Sequence, residues 1–116
     1  MNNRRVGASY EELAARHLTK KGYNIAERNF RCRMGEIDLI GWDGNYLCFI
    51  EVKYRSGTSK GHPAEAINER KIRRISKTAQ FYMLMRKITQ DTPCRFDVVL
   101  ILDNEITLIK NAFGGI

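Results

Sequence analysis

Two carboxylates and an ammonium stand out in this chain for what they could do together. Asp38 lies in Gly35-Glu36-Ile37-Asp38-Leu39-Ile40, and Glu51 and Lys53 lie in Tyr46-Leu47-Cys48-Phe49-Ile50-Glu51-Val52-Lys53-Tyr54. Two carboxylates aimed at one small volume repel, so they coexist only with a cation between them or a proton on one. Magnesium suits such a pair, because it accepts a few carboxylate oxygens and keeps waters for the rest of its octahedron. A bound ion of that kind acts as a Lewis acid and as a source of hydroxide. Lys53 would orient or help deprotonate an attacking water, or hold charge on a phosphate in the transition state. This is the chemistry of a nuclease-type metal site.

Whether the set can act depends on the strands that carry it. The two segments read as β-strands joined around Asp43-Gly44, a strong hairpin signal. An even connection, whether Asp43-Gly44 or Trp42 to Asn45, sets Gly41 against Tyr46, Ile40 against Leu47 and Asp38 against Phe49. Alternation then gathers Glu36, Asp38, Ile40, Leu47, Phe49, Glu51 and Lys53 on one side of the sheet. Ile37, Leu39, Tyr46, Cys48, Ile50 and Val52 take the other side, which reads as core. Asp38 and Glu51 become diagonal neighbours, on the order of 7–8 Å apart at the backbone. An odd connection would turn Asp38 to the opposite face. The competing reading makes Glu51 and Lys53 an ordinary exposed strand end with cross-strand ion pairing. Asp38 at matching parity, inside a strongly apolar hairpin, weighs against it.

Residues 8–21 read as a helix capped by Ser9, with Leu13, Ala14, Ala15 and Leu18 as its apolar stripe and Gly22 as its stop. Glu11 shares that stripe, and a carboxylate facing a core is costly unless paired or bound to metal. The alternative is a tilted helix that carries Glu11 at its rim; Glu12, about 100° further round, faces solvent. Tyr23 to Phe30 is a weaker strand, because Ala26-Glu27-Arg28-Asn29 breaks the pattern. Arg55 to His62 reads as a loop, and Pro63 opens a helix through about Lys87, with Ile67, Ile75, Ala79, Tyr82 and Met83 at helical spacing. Asp91-Thr92-Pro93 ends it, and Phe96 to Leu102 and Ile106 to Lys110 follow as strands. The order α-β-β-β-α-β-β predicts an α/β fold, a mixed sheet flanked by helices.

At 116 residues, positions 1–116 make a single domain, and 43% hydrophobic with 28% charged residues is globular composition. Twenty basic against 13 acidic residues give a formal charge of +7, which favours a polyanionic partner, nucleic acid before an acidic membrane. No apolar run approaches the ~20 residues of a membrane span. The basic N-terminus lacks the apolar stretch of a signal peptide, so a cytoplasmic protein is expected. Cys32, Cys48 and Cys94 are odd in number and lack a CxxC pair, so they read as packing residues rather than a zinc site or disulfide framework. Arg70, Lys71, Arg73, Arg74 and Lys77 crowd one helix. Of these, Lys71 lies at the boundary of the buried stripe, within reach of the site. Arg55 continues the strand and face of Lys53. The Gly57–Gly61 stretch reads as a loop beside the site and lacks P-loop spacing. His17 and His62 have no ligand-spaced partner, and Trp42, Tyr46, Tyr54 and Tyr82 read as core or interface residues.

Gly7, Glu11-x-x-Ala14, Gly22-Tyr23, Asn29, Gly35-Glu36-Ile37-Asp38-Leu39-Ile40 and Phe49-Ile50-Glu51-Val52-Lys53-x-Arg55 closely resemble the YraN-like family of small bacterial proteins. The likeness runs from about Gly7 to Leu102. That family resembles the PD-(D/E)xK restriction-endonuclease-like superfamily and, within it, archaeal Holliday junction resolvases. The resemblance implies a restriction-endonuclease-like core, α-β-β-β-α-β. It implies Glu11, Asp38, Glu51 and Lys53 as catalytic residues, the three carboxylates holding Mg²⁺ or Mn²⁺. Arg55, Lys71 and Arg74 become the candidate contacts to nucleic acid, with DNA, branched DNA included, as the expected partner. A homodimer would allow two strands to be cut. The alternative is a non-catalytic nucleic-acid-binding module that retains the nuclease fold. Tyr10 departs from the glycine usual before the helix glutamate.

Overall fold

The computed structural model describes residues 3–56 and 68–113, with side chains from residue 9 onward. Helix α1 spans Asn3–Lys20, followed by β1 (Asn24–Cys32), β2 (Gly35–Asp43) and β3 (Tyr46–Arg55). Helix α2 spans Glu69–Met85, and β4 (Cys94–Leu102) and β5 (Glu105–Ile109) complete the chain. The five strands form one sheet in the order β1-β2-β3-β4-β5, antiparallel except for the parallel pair β3 and β4. A parallel pair needs a long crossover, which α2 lies within. This α/β architecture, with its mixed sheet and α-β-β-β-α-β order, is restriction-endonuclease-like, and β5 is added at the edge. No described helix is long and apolar enough to cross a membrane.

Each face of the sheet is covered by one helix. On one, Ala14, Ala15 and Leu18 of α1 pack with Leu39, Cys48, Ile50, Val99 and Ile101. On the other, Ile75, Ala79 and Tyr82 of α2 pack with Ile37, Ile40, Leu47, Phe49 and Phe96. Helix α1 starts at Asn3, so Ser9 is an interior residue rather than its cap. Leu13 is 43% exposed and leaves the stripe to the small alanines, which let the helix sit close to the sheet. Past its end Gly22 takes φ +98, and the Tyr23 N–H reaches back to the Leu18 carbonyl at 3.0 Å. That is the left-handed close which glycine permits. Helix α2 is capped by Asn68, whose side chain accepts the Lys71 N–H at 2.9 Å. It therefore begins later than Pro63; residues 57–67, with Pro63 and Ile67, lie outside the described residues.

The hairpin turn is Gly44-Asn45, with Gly44 at φ +61, and Asp43 pairs with Tyr46. The connection is even, as expected, but the pairing is displaced: Ile40, not Asp38, faces Phe49. Asp43 stays in the strand, where its carboxylate meets Arg95 at 2.7 Å and Lys110 at 3.1 Å. The last β2–β3 pair is Leu39–Ile50. Asp38 is one step beyond it, level with Glu51 rather than diagonal to it.

Alternation along β2 also fails at Asp38. Leu39 packs on the α1 side but Ile37 packs on the α2 side, against the expectation that they share a face. The cause lies on β1. Asn29, at φ +53, adopts a left-handed conformation where it passes Asp38. Arg28 pairs with Glu12 of α1, the Asn29 side chain bonds Glu11 of the same helix, and Phe30 then turns to the α2 side. Two successive residues on one face reverse the alternation for the rest of the hairpin. Tyr46 differs as well, being 45% exposed at the turn rather than core.

Candidate active site at the fork of the sheet

Beyond Leu39–Ile50 the sheet divides. Strand β2 stays paired with β1 as far as Gly35, while β3 stays paired with β4 as far as Arg55. Asp38 stands in the fork, between the residue that turned to α1 and the one that turned to α2. Its Oδ2 accepts the Val52 N–H at 2.8 Å, closing part of the gap that the missing ladder leaves. Burial, and next the charge of Glu51, push the Asp38 carboxyl up to about 7 despite that hydrogen bond.

Glu51 points to the α2 side, as its parity with Phe49 requires. One of its oxygens, Oε1, lies 3.0 Å from Lys71 Nζ and 3.8 Å from Lys53 Nζ. The Glu51 and Lys53 side chains are only 11% and 15% exposed, while Lys71 is 35% exposed. Burial lowers the Lys53 ammonium from its ordinary value, and the neighbouring Lys71 lowers it further. Burial opposes charge on Lys71 as well, but its contacts with Lys53 and Glu51 outweigh that and hold it protonated. Of the two lysines, Lys53 gives up its proton more readily.

Glu11 reaches the fork from the α1 side. Its carboxyl is raised chiefly by burial, against the lowering hydrogen bond from Asn29, and it senses the charges of Glu36, Arg31 and Glu51. Half-buried at the rim, it lies between the two orientations that its helix position allowed. Arg31 pairs with Glu36 at 2.9 Å beside it.

Among the described residues no three His, Cys, Asp or Glu side chains form a ready-made ligand cluster. The donor chemistry nevertheless fits a hard divalent ion: Asp38 and Glu51 carry carboxylate oxygens on either side of the fork, with Glu11 on the third side. Burial first, and then repulsion from Glu51, raises the Asp38 carboxyl, and a cation would relieve the second.

The residues expected to meet nucleic acid divide. Lys71 joins the site directly. Arg55 ends β3, its guanidinium bonded to the Tyr54 carbonyl at 2.8 Å. Arg74 is exposed on α2, close to Gly35 at the start of β2. A concave pocket of about 710 Å³, lined by Met83, Leu84, Ile88 and Cys94 among others, contains none of the site residues.

Two residues had no role assigned in the sequence reading. Asn29 carries both the kink and the bond to Glu11; its signal was the broken pattern of Ala26 to Asn29. Asp97 is fully buried in a strand that reads as apolar. Arg95 meets it at 2.9 Å, the Tyr23 hydroxyl at 2.7 Å and the Asn111 N–H at 2.9 Å. Nothing in its own segment announced those partners.

The fold and the site define an α/β protein of restriction-endonuclease-like architecture whose sheet fork gathers carboxylates and lysines. The chain belongs to the uncharacterised protein family UPF0102, which matches residues 10–101. It is 51% identical over 115 residues to a UPF0102 protein of Lachnoclostridium phytofermentans, covering 99% of this chain and 98% of the relative. A UPF0102 protein of Clostridium kluyveri is 46% identical over 117 residues, with 96% and 95% covered. One of Persephonella marina is 46% identical over 107 residues, with 92% and 91% covered.

Proposed function

We propose that the chain is a metal-dependent endonuclease that hydrolyses phosphodiester bonds in DNA, branched, Holliday-junction-like DNA included. The observation that carries this reading is the meeting of Asp38, Glu51, Lys53 and Lys71 where β2 and β3 part. Glu11, Asp38 and Glu51 would hold Mg²⁺ or Mn²⁺, which when bound supplies Lewis acidity and lowers the pKa of bound water. Lys53, its ammonium lowered from the ordinary value by burial, takes or gives a proton near the scissile phosphate and balances its charge. Arg55, Lys71 and Arg74 neutralise neighbouring phosphates, the sequence-independent part of binding. A homodimer would present two such sites to two strands, and a DNA substrate sets the work in the cytoplasm.

The ion pairing that occupies Glu51 favours a second reading, a nucleic-acid-binding module that keeps the fold without turnover. Incubation with four-way, flapped and single-stranded DNA in Mg²⁺ or Mn²⁺ separates the two. Cleavage that Asp38→Asn abolishes supports the nuclease. Tight binding with no cleavage of any substrate selects the module.

A further inference from the structure

Two ammoniums share one oxygen of Glu51, and they are not equivalent. Lys53 is the more buried and rides on the same strand as Glu51. Lys71 comes from the first turn of α2, where the Asn68 cap holds its backbone at 2.9 Å and aims its stem at the fork. Its ammonium is the closer to Glu51, at 3.0 Å, and the more open to water. A long, flexible stem with an accessible head can leave its partner without unfolding anything around it.

We infer that Lys71 is a displaceable counter-cation seated on Glu51, which a divalent ion must evict and which a phosphate group can draw away. This inference rests on the reading of Asp38 and Glu51 as metal ligands. A divalent ion at Glu51 Oε1 and an ammonium at 3.0 Å from the same atom repel each other, so the two occupancies compete. Because coupling is reciprocal, a polyanion that recruits Lys71 tightens metal binding, and metal binding frees Lys71 for the polyanion. The same residue therefore links substrate docking to metal loading.

Mn²⁺ titration of the full chain, read by calorimetry without any substrate, tests this. Lys71→Gln should bind Mn²⁺ about fivefold to tenfold more tightly than the native chain, the scale of losing one partly exposed competing charge. Lys71→Arg, which keeps the charge, should stay near the native affinity. Lys71→Met keeps the stem and gives the same answer as Gln if Gln disturbs the helix, as circular dichroism would show. A native chain that binds no Mn²⁺ beside a Lys71→Gln variant that does also supports the inference. Affinity in Lys71→Gln and Lys71→Met that is unchanged within about twofold, or weaker, overturns it. If in that case Glu51→Gln still removes binding, the metal-site reading stands alone. Absence of Mn²⁺ binding from the native chain and both neutral variants overturns both.

Discussion

The carboxylate of Asp38 accepts the backbone N–H of Val52 at 2.8 Å, and Val52 is the residue between Glu51 and Lys53. One hydrogen bond thus ties the two halves of the candidate site across a gap where the strands no longer pair. The ladder ends at Leu39–Ile50, and the side chain takes over where the backbone stops.

That carboxylate is costly to keep ionised. Its pKa is raised from the ordinary 3.8 to about 7, so the folded state binds a proton that the unfolded state releases. The associated stability is complete below the unfolded value and is lost as pH rises through about 7. Asp38→Asn keeps an acceptor for Val52 and removes the charge. With chelator present it should exceed the native chain in urea stability at pH 8 by on the order of 2–4 kcal/mol, the difference vanishing towards pH 4. A variant less stable than the native chain at pH 8 would refute the burial argument.

Lys53 is expected to matter for turnover rather than for folding. Lys53→Gln should lower cleavage by about a hundredfold or more while DNA affinity and melting temperature stay close to native. Single-turnover cleavage alongside a filter-binding titration reads the two apart. Equal losses in both would make Lys53 a binding residue.

Asn29 performs two tasks that substitution can separate. Asn29→Ala keeps the β-carbon but loses the short polar side chain that lets asparagine tolerate the left-handed region, and should cost about 1 kcal/mol. Asn29→Gly tolerates φ +53 and should melt closer to the native chain. Both lose the bond to Glu11, so both should weaken Mn²⁺ binding to a similar extent. Loss of metal affinity in the alanine variant alone would leave only the backbone role.

Asp97 takes no part in the candidate site, yet its removal should be the most damaging of these changes. Burial alone would raise its carboxyl, but Arg95, Tyr23 and the Asn111 N–H together hold it below the ordinary range. Its contribution is full above the ordinary aspartate range and is lost as pH falls through the depressed folded-state value. Asp97→Ala leaves Arg95 with the Asp43 carboxylate and takes the acceptor from the Tyr23 hydroxyl and the Asn111 N–H, and should cost about 3–5 kcal/mol. Acid titration of circular dichroism should show the native chain's unfolding at low pH flattened in the variant. An equally steep acid transition in Asp97→Ala would assign acid sensitivity elsewhere.

Much of this architecture was legible in the chain. The seven elements follow from period and turn residues, and Asp38, Glu51 and Lys53 announced themselves by type and spacing. Hairpin parity was right about an even connection, yet it centred the turn on Asp43-Gly44, as a two-residue loop or as Trp42 to Asn45, because it could not see that Asp43 is held in the strand by Arg95 and Lys110. Those partners are more than 50 residues away in sequence. The face of Ile37 was misjudged for a similar reason: strict alternation assumes a regular partner strand, and Asn29 makes β1 irregular. Lys71 could be placed near the site by its helix angle, but its bond to Glu51 needed the crossover between β3 and β4. Local patterns carry elements, whereas contacts between elements decide which way a particular charge points.

The irregular border strand has a consequence for how copies of the chain meet. In β1, Ala26 is a bulge between paired Ile25 and Glu27, Asn29 is left-handed, and Glu27 and Arg28 are drawn into ion pairs with Arg86 and Glu12. A strand bent and charged in this way offers poor templating for a strand from another molecule. The opposite border, β5, is only five residues long. Both rims are thereby poorly suited to edge-to-edge pairing with another sheet.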